Sequence, residues 1–173
     1  ENIAGAVALA KALGIREDAI REGIAALERV PGRLEEVADS RGGRVVLVDY
    51  AHKPDALEKV LAVLRPMVGP GKKLVCVFGC GGDRDRGKRS VMGEIACRIA
   101  DVVILTSDNP RTEDAEKILD EIESGCSGKS NWKREIDRRN AIESAIRETG
   151  PGDVVLIAGK GHEDYQIVGT EKI

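Results

Sequence analysis

Residues 102–111 read Val-Val-Ile-Leu-Thr-Ser-Asp-Asn-Pro-Arg, an apolar run that ends in a cluster of polar side chains. The four β-favouring residues at its start predict a buried strand, and a helix-like run follows the cluster. Open α/β sheets bind their ligands beyond the carboxyl ends of such strands. Asp108, Asn109 and Arg111 could together hold an ammonium and a carboxylate, which favours a zwitterionic ligand, and Pro110 would restrict the loop. The same residue types are also typical of a plain strand-to-helix turn, so that alternative stays open.

Strand-like and helix-like segments alternate on both sides of this stretch. The alternation predicts an α/β fold: a mostly parallel sheet with right-handed crossovers, helices on both faces and one antiparallel edge strand from an early hairpin. The predicted strands span 34–38, 45–48, 74–78, 102–105 and 153–158, with the hairpin turn at 41–43. The predicted helices span 3–13, 16–27, 91–100, 115–122 and 138–148, and 125–132 is predicted to be a loop. A further predicted helix follows Pro54, carries its apolar stripe at 56–64 and ends near Pro66.

A break in the pattern predicts two parts. The sequence Val30-Pro31-Gly32-Arg33 interrupts the helical periodicity and places a domain boundary between residues 30 and 31. The helical pair before the boundary has no strand of its own. We therefore expect 1–30 to be the tail of a larger domain and 31–173 to be the α/β domain.

Composition narrows the classes of function. The 27 basic and 30 acidic residues are interspersed, and aromatic residues make up 2% of the chain, which argues against a nucleic-acid partner. No apolar run approaches the roughly 20 residues of a membrane span and no secretory leader is visible, so no membrane partner is expected. The four cysteines form no C-x-x-C pair and only two histidines accompany them, so no metal site is expected. Free thiols predict a cytoplasmic setting.

Residues 79–89, Gly-Cys-Gly-Gly-Asp-Arg-Asp-Arg-Gly-Lys-Arg, form a glycine-rich stretch between a predicted strand and a predicted helix. It fails as a dinucleotide fingerprint because Arg84 stands where the third glycine belongs. It fails as a P-loop because Arg89 replaces the Ser or Thr that binds magnesium. What remains is a basic turn that opens a helix and suits an anion such as phosphate or carboxylate. A solvated charged loop is the alternative.

A second glycine-containing cluster, Gly159-Lys160-Gly161-His162-Glu163, follows the last predicted strand. Glu163 suits a cation acceptor, whereas His162 could be either a general base or a structural residue, and no acid–base role is assigned. In a parallel sheet the loops after residues 48, 78, 105 and 158 gather at one rim. Because these four loops hold most of the unusual polar residues, the sequence predicts a single binding site at that rim.

Four motifs occur in order: D-Y-A-H-x-P-D at 49–55, V-F-G-C-G-G-D-R-D at 77–85, D-N-P-R at 108–111 and A-G-K-G-H-E at 158–163. With them the chain closely resembles, over nearly all of its length, the C-terminal part of the Mur ligases. The resemblance implies a Rossmann-like domain at 31–173 that presents an incoming amino acid and closes over ATP. It also implies that 1–30 is a helical remnant of the central ATPase domain.

Within that family the D-N-P-R form implies meso-2,6-diaminopimelate as the amino acid, since lysine-adding members lack the arginine. Diaminopimelate has a carboxylate and an ammonium at its distal end where lysine has only an ammonium, so an extra guanidinium gains a bidentate partner. The resemblance implies that Arg84 holds the carboxylate beside the reacting amine, and that Asn109 and Arg111 hold the distal carboxylate. Asp108 and Pro110 belong to the loop that carries them.

The resemblance implies further contacts for the rest of the ligand set. The carbonyl of Gly159 and the carboxylate of Glu163 would receive the distal ammonium. His52 and Asn2 would lie near the nucleotide. ATP and Mg²⁺ would be bound mainly by a central domain upstream of Glu1, so the chain alone is expected to be inactive.

The implied reaction forms an acyl phosphate from ATP and the D-glutamyl carboxylate of UDP-N-acetylmuramoyl-L-alanyl-D-glutamate, which the diaminopimelate amine then attacks. No catalytic residue of this chain is assigned. Two alternatives stay open: a lysine-adding or other Mur-type ligase domain, and a non-catalytic α/β module that binds a nucleotide or phosphosugar.

Overall fold

The computed structural model describes residues 2–27, 29–38 and 42–173, and the chain divides into two compact units, 1–30 and 31–173. The first unit holds helices α1 (Asn2–Ala12) and α2 (Glu17–Ala25). Gly14 follows α1 with a φ of +74°, the left-handed conformation in which glycine readily ends a helix. Part of the predicted hairpin turn at 41–43 lies outside the described residues.

A six-stranded sheet organises the second unit. Its strands are β1 (Glu35–Val37), β2 (Val45–Asp49), β3 (Leu74–Phe78), β4 (Val102–Leu105), β5 (Trp132–Arg134) and β6 (Val154–Ala158). They lie in the order β1-β2-β6-β3-β4-β5. β1 pairs antiparallel with β2, and the other pairs of this sheet are parallel. The prediction of a mostly parallel sheet with one antiparallel edge strand is therefore confirmed.

Four helices cover the two faces of the sheet: α3 (Pro54–Leu64), α4 (Lys88–Ile99), α5 (Ala115–Glu123) and α6 (Arg138–Arg147). Successive side chains of a strand point to opposite faces, and β3 divides its residues accordingly. Leu74, Cys76 and Phe78 join the apolar cluster that contains α3, α4 and α5. Val75 and Val77 join the second cluster, with α6. Both faces of β3 are buried, which explains its continuous apolar sequence.

Two local predictions were wrong, and one pair of strands was not predicted. α4 begins at Lys88 rather than at residue 91, and the segment predicted to be a loop contains a 3₁₀ turn (Ser124–Cys126) and ends in β5. A short antiparallel pair, β7 (Ile167–Val168) and β8 (Glu171–Lys172), was not predicted. Strands of two or three residues carry too little periodicity to be recognised, and a neighbouring strand decides whether they form.

The rim at the carboxyl ends of β2, β3, β4 and β6 is where the polar loops meet, because those strands are parallel. The loops after β3 and β4 are in backbone contact: a Cβ atom on Gly79 would lie 2.1 Å from the carbonyl oxygen of Thr106. Only glycine permits this approach. In the described part of the chain, no helix has the length and apolarity that crossing a bilayer requires.

Candidate functional site

The rim loops enclose a cavity of about 940 Å³. Among the residues that line it are seven of the predicted site residues: His52, Arg84, Asp108, Asn109, Arg111, Gly159 and Glu163. Pro110 is buried in the same loop but is not among the lining residues. Asn2 begins α1, and its side chain lies outside the described part of the chain.

Arg111 is held in an unusual backbone conformation at the cavity wall. Its φ of +52° is uncommon for a residue other than glycine. The N–H of Arg111 donates to the carbonyl of Ile167 at 3.0 Å, and the N–H of Gly169 donates to the carbonyl of Arg111 at 2.7 Å. Its guanidinium donates through Nη1 to the carbonyl of Gly82 at 2.8 Å. Among the described hydrogen bonds none uses Nε or Nη2, so these N–H groups are available to a ligand.

The glycine-rich loop is joined to the D-N-P-R loop by direct backbone contacts. The N–H of Gly82 donates to the carbonyl of Asn109 at 2.8 Å. A Cβ on Gly82 would lie 1.8 Å from the carbonyl oxygen of Pro110, so the two loops can approach only because residue 82 has no side chain. The carboxylate of Asp83 then accepts from the hydroxyl of Thr112 at 2.8 Å. The two loops therefore form one rigid wall.

A buried arginine supports this wall from behind. The Arg89 side chain is fully buried, and its guanidinium donates to both carboxylate oxygens of Glu113, at 2.9 and 3.0 Å. It also donates to Glu121 at 2.8 Å and to the carbonyl of Gly81 at 3.2 Å. The pKa of Glu113 is lowered to about 2, chiefly by the hydrogen bond from Arg89 and to a smaller extent by the hydrogen bond from the N–H of Asp83. Sequence reasoning used Arg89 only to reject a P-loop, and nothing in the sequence marks this arginine as buried.

Lys160 is the second residue that sequence reasoning left without a role. Its ammonium, buried behind the cavity, donates to Oδ1 of Asn109 at 2.9 Å and to Oε2 of Glu163 at 3.3 Å. Nδ2 of Asn109 donates to the same carboxylate oxygen at 3.2 Å. Burial alone would raise the pKa of Glu163, but the hydrogen bonds from Asn109 and Lys160 outweigh burial and lower it. Glu163 is therefore an ionised acceptor at neutral pH.

The other half of the cavity is lined by the loop after β2 and the beginning of α4. Nδ1 of His52 lies 2.8 Å from the carbonyl oxygen of Tyr50, and the Lys88 ammonium donates to the carbonyl of His52 at 2.6 Å. His162 stacks on the Tyr50 ring with centroids 6.2 Å apart and is not a lining residue. This placement favours a structural role for His162 over a general base.

Metal-ligating side chains are not clustered in the described part of the chain. Within the described ranges 2–27, 29–38 and 42–173, no group of three or more His, Cys, Asp or Glu side chains is arranged to hold a metal ion. The residues that line the cavity supply guanidinium and amide donors, from Arg84, Arg111 and Asn109, together with carboxylates that include that of Glu163. Such a set can bind a small molecule that has both a carboxylate and an ammonium group.

A family model and individual proteins of known name both match the chain. The family model described as "Mur ligase, glutamate ligase domain" matches residues 32–161. The chain is 53% identical over 173 residues to the UDP-N-acetylmuramoyl-L-alanyl-D-glutamate–2,6-diaminopimelate ligase of Thermosynechococcus vestitus, covering 99% of this chain and 34% of that protein. The protein of the same name from Geobacter metallireducens is 53% identical over 189 residues, with coverage of 99% and 36%. The chain thus spans about a third of the length of these relatives.

The chain also superposes on solved structures. A structure of a protein with that name superposes with a TM-score of 0.74 and 44% identity, covering 96% of this chain and 34% of the other. E. coli FolC in complex with ADP superposes with a TM-score of 0.70 and 27% identity, with coverage of 93% and 36%.

Proposed function

The chain belongs to the Mur ligase family, by way of its glutamate ligase domain, and from this premise we propose that it binds meso-2,6-diaminopimelate in an ATP-dependent ligase. That enzyme joins the amino acid to UDP-N-acetylmuramoyl-L-alanyl-D-glutamate during synthesis of peptidoglycan precursors in the cytoplasm. The relatives with this activity in their names are about 50% identical to the chain, which supports the assignment.

The proposal depends on two oppositely charged side chains, Glu163 and Arg111, that both line the cavity. Hydrogen bonds from Asn109 and Lys160 lower the pKa of Glu163, and no described hydrogen bond uses Nε or Nη2 of Arg111. Diaminopimelate ends in a carbon that bears both an ammonium and a carboxylate. A carboxylate and a guanidinium on one wall match those two groups, whereas an amine alone would leave the guanidinium without a partner.

We assign each residue a contact with the ligand on this basis. Arg111 and Nδ2 of Asn109 donate to the distal carboxylate, while Glu163 and the carbonyl of Gly159 accept from the distal ammonium. Arg84, an exposed residue that also lines the cavity, binds the carboxylate beside the reacting amine. Asp108 and Pro110 shape the loop: Oδ1 of Asp108 accepts from the N–H of Asn109 at 2.7 Å.

The work of these residues in the reaction is positioning. ATP supplies the phosphoryl group that turns the D-glutamyl carboxylate into an acyl phosphate, and the diaminopimelate amine displaces that phosphate to form the amide. Fixing both ends of the amino acid converts the attack into an effectively unimolecular step. No residue of this chain is assigned as a catalyst. His52 and Asn2 are proposed to lie near the nucleotide.

We propose that ATP and Mg²⁺ are held mainly by a central ATPase domain, of which residues 1–30 are a part. The length of the relatives supports this, since they are about three times as long as the chain. The 173-residue chain alone is accordingly expected to show no ligase turnover.

The test is the change Arg111→Ala in the full-length protein that carries this chain. Loss of a charged hydrogen-bond pair costs about 2 kcal/mol, so kcat/KM for diaminopimelate should fall about 30-fold, with KM for ATP little changed. Arg98→Ala, which alters an exposed ion pair on α4, is the matched control and should leave both constants unchanged. Equal losses with diaminopimelate and lysine would refute the assignment of Arg111.

Titration of the 173-residue chain with diaminopimelate and with nucleotides tests the class of function. Binding of diaminopimelate supports a ligase domain. Binding of a nucleotide or phosphosugar without any binding of diaminopimelate would instead indicate a non-catalytic module.

A further inference from the structure

Lys160 is a buried cation beside the cavity that does not itself line the cavity. It is 6% exposed, and its ammonium is surrounded by Oδ1 of Asn109, Oε2 of Glu163 and, at 5.4 Å, the ring of Tyr165. A buried ammonium is costly unless its donors are satisfied. Asn109 and Glu163, which both line the cavity, accept hydrogen bonds from Lys160, so Lys160 can act on a ligand through them.

The chemistry of the neighbours determines which way the Asn109 amide faces. Its Oδ1 accepts from the Lys160 ammonium at 2.9 Å and from the backbone N–H of Ile167, also at 2.9 Å. Both partners are donors with no accepting capacity, so only the oxygen of the amide can occupy this position. A flipped amide would place its NH₂ group against an ammonium and an N–H, and would lose both hydrogen bonds.

The fixed amide leaves its NH₂ group on the opposite side, where one N–H donates to Oε2 of Glu163 at 3.2 Å. No hydrogen bond among the described residues uses the second N–H of Asn109, so it can donate to a ligand. Since Oε2 of Glu163 already accepts from Lys160 and Asn109, its other oxygen is left for a cation. Lys160, together with the N–H of Ile167, thereby holds Asn109 with its NH₂ group towards Glu163.

We propose that Lys160 is a positioning residue that sets the polarity of the binding wall, so that Asn109 recognises the distal carboxylate of the amino acid and Glu163 its distal ammonium. This inference rests on the proposed function for the identity of the ligand. It adds a residue that contacts no substrate and acts through the orientation of a neighbouring amide.

Kinetics of Lys160→Met in the full-length protein are the first test. Methionine preserves most of the apolar volume of lysine but cannot donate, so the amide loses one of the two donors that orient it. KM for diaminopimelate should rise at least tenfold, while kcat and KM for ATP change less than threefold. Lys117→Met, at an exposed position on α5, is the matched control and should leave all three constants unchanged. Wild-type kinetics in Lys160→Met would overturn the proposal.

An NMR measurement on the unmodified chain tests the amide orientation on which the inference depends, and so can overturn the inference even if Lys160→Met does not fold. In the proposed orientation the side-chain NH₂ protons of Asn109 point towards Glu163 and away from the amide proton of Ile167. A strong nuclear Overhauser effect between those NH₂ protons and the Ile167 amide proton would show a flipped amide and overturn the proposal. Its absence, with a contact to Glu163, supports it.

The two proposals fail in different ways. If wild-type protein does not use diaminopimelate, the proposed function is wrong, although the orientation of the Asn109 amide is still established by the NMR contacts. If wild-type protein uses diaminopimelate and Lys160→Met does so equally well, the positioning role of Lys160 is wrong.

Discussion

Replacing Arg89 with methionine removes the guanidinium that connects the two binding loops from behind. Breaking a buried ion pair by removing one partner costs about 3–5 kcal/mol when the other charge is left in the interior. Here the partners are partly accessible to water, since the side chains of Glu113 and Glu121 are 23% and 30% exposed. Each also keeps a second partner, the N–H of Asp83 and the guanidinium of Arg86 respectively. We therefore expect the free energy of unfolding to fall by about 2–4 kcal/mol at pH 7.

The pH dependence of that loss identifies its cause. The folded state lowers the pKa of Glu113 from 4.5 to about 2, chiefly through the hydrogen bond from Arg89. A carboxyl group with a lowered pKa stabilises the fold above its unfolded-state pKa, and this contribution is lost as the pH falls towards the folded-state value. The deficit of Arg89→Met relative to wild type should therefore be largest at pH 7 and clearly smaller at pH 3.

Urea unfolding of the 173-residue chain at pH 7 and pH 3 measures both quantities. Arg98→Met is the control because Arg98 lies on the same helix and forms exposed ion pairs with Glu58 and Glu94, so its loss should be below about 1 kcal/mol. The reasoning is refuted if the Arg89→Met deficit at pH 7 is no larger than that of the control. A deficit that is the same at pH 3 as at pH 7 would show that the lost stability does not come from these carboxylates.

Three further predictions concern backbone and burial. Gly82→Ala should destabilise the fold by more than about 2 kcal/mol in urea unfolding, because its Cβ would lie 1.8 Å from the carbonyl oxygen of Pro110; Gly150→Ala, with nothing within 4 Å, is the control and should change stability by less than about 1 kcal/mol. Asp114→Ala should cost about 1 kcal/mol in the same assay, because the carboxylate caps α5 by accepting from a backbone N–H, and a neutral result would contradict that role. Burial raises the pKa of Cys76 to about 12, so iodoacetamide at pH 8 should label this thiol only after unfolding, and rapid native labelling would show that the strand opens.

The sequence predicted some elements closely because their patterns are long and unambiguous. The bounds of β3 and β4 were predicted residue for residue, since a strand buried on both faces is a continuous apolar run between polar residues. β5 was missed because its residues, Trp-Lys-Arg, carry no apolar alternation. It forms because the edge of β4 offers unpaired backbone groups, a partner that lies far away in the sequence.

The candidate site, too, was predictable from the sequence only in part. Its loops were predicted to meet because the alternation of strands and helices implies parallel strands, whose carboxyl ends share one rim, and the structure places those loops around one cavity. The contacts that orient the side chains were not predictable in this way. Lys160 and Arg89 are charged residues that ordinarily lie in solvent, and only the packing of distant segments around them reveals that they are buried and paired.

By itself the sequence determined the α/β architecture, the rim where the polar loops gather and the residue types available there. These depend on local periodicity and on the chirality of chain connections, which short stretches of sequence encode. The tertiary structure alone decided the left-handed backbone of Arg111, the direction of the Asn109 amide and the burial of Arg89. Each depends on hydrogen bonds between segments far apart in the chain, and their energy exists only once the fold brings those segments together.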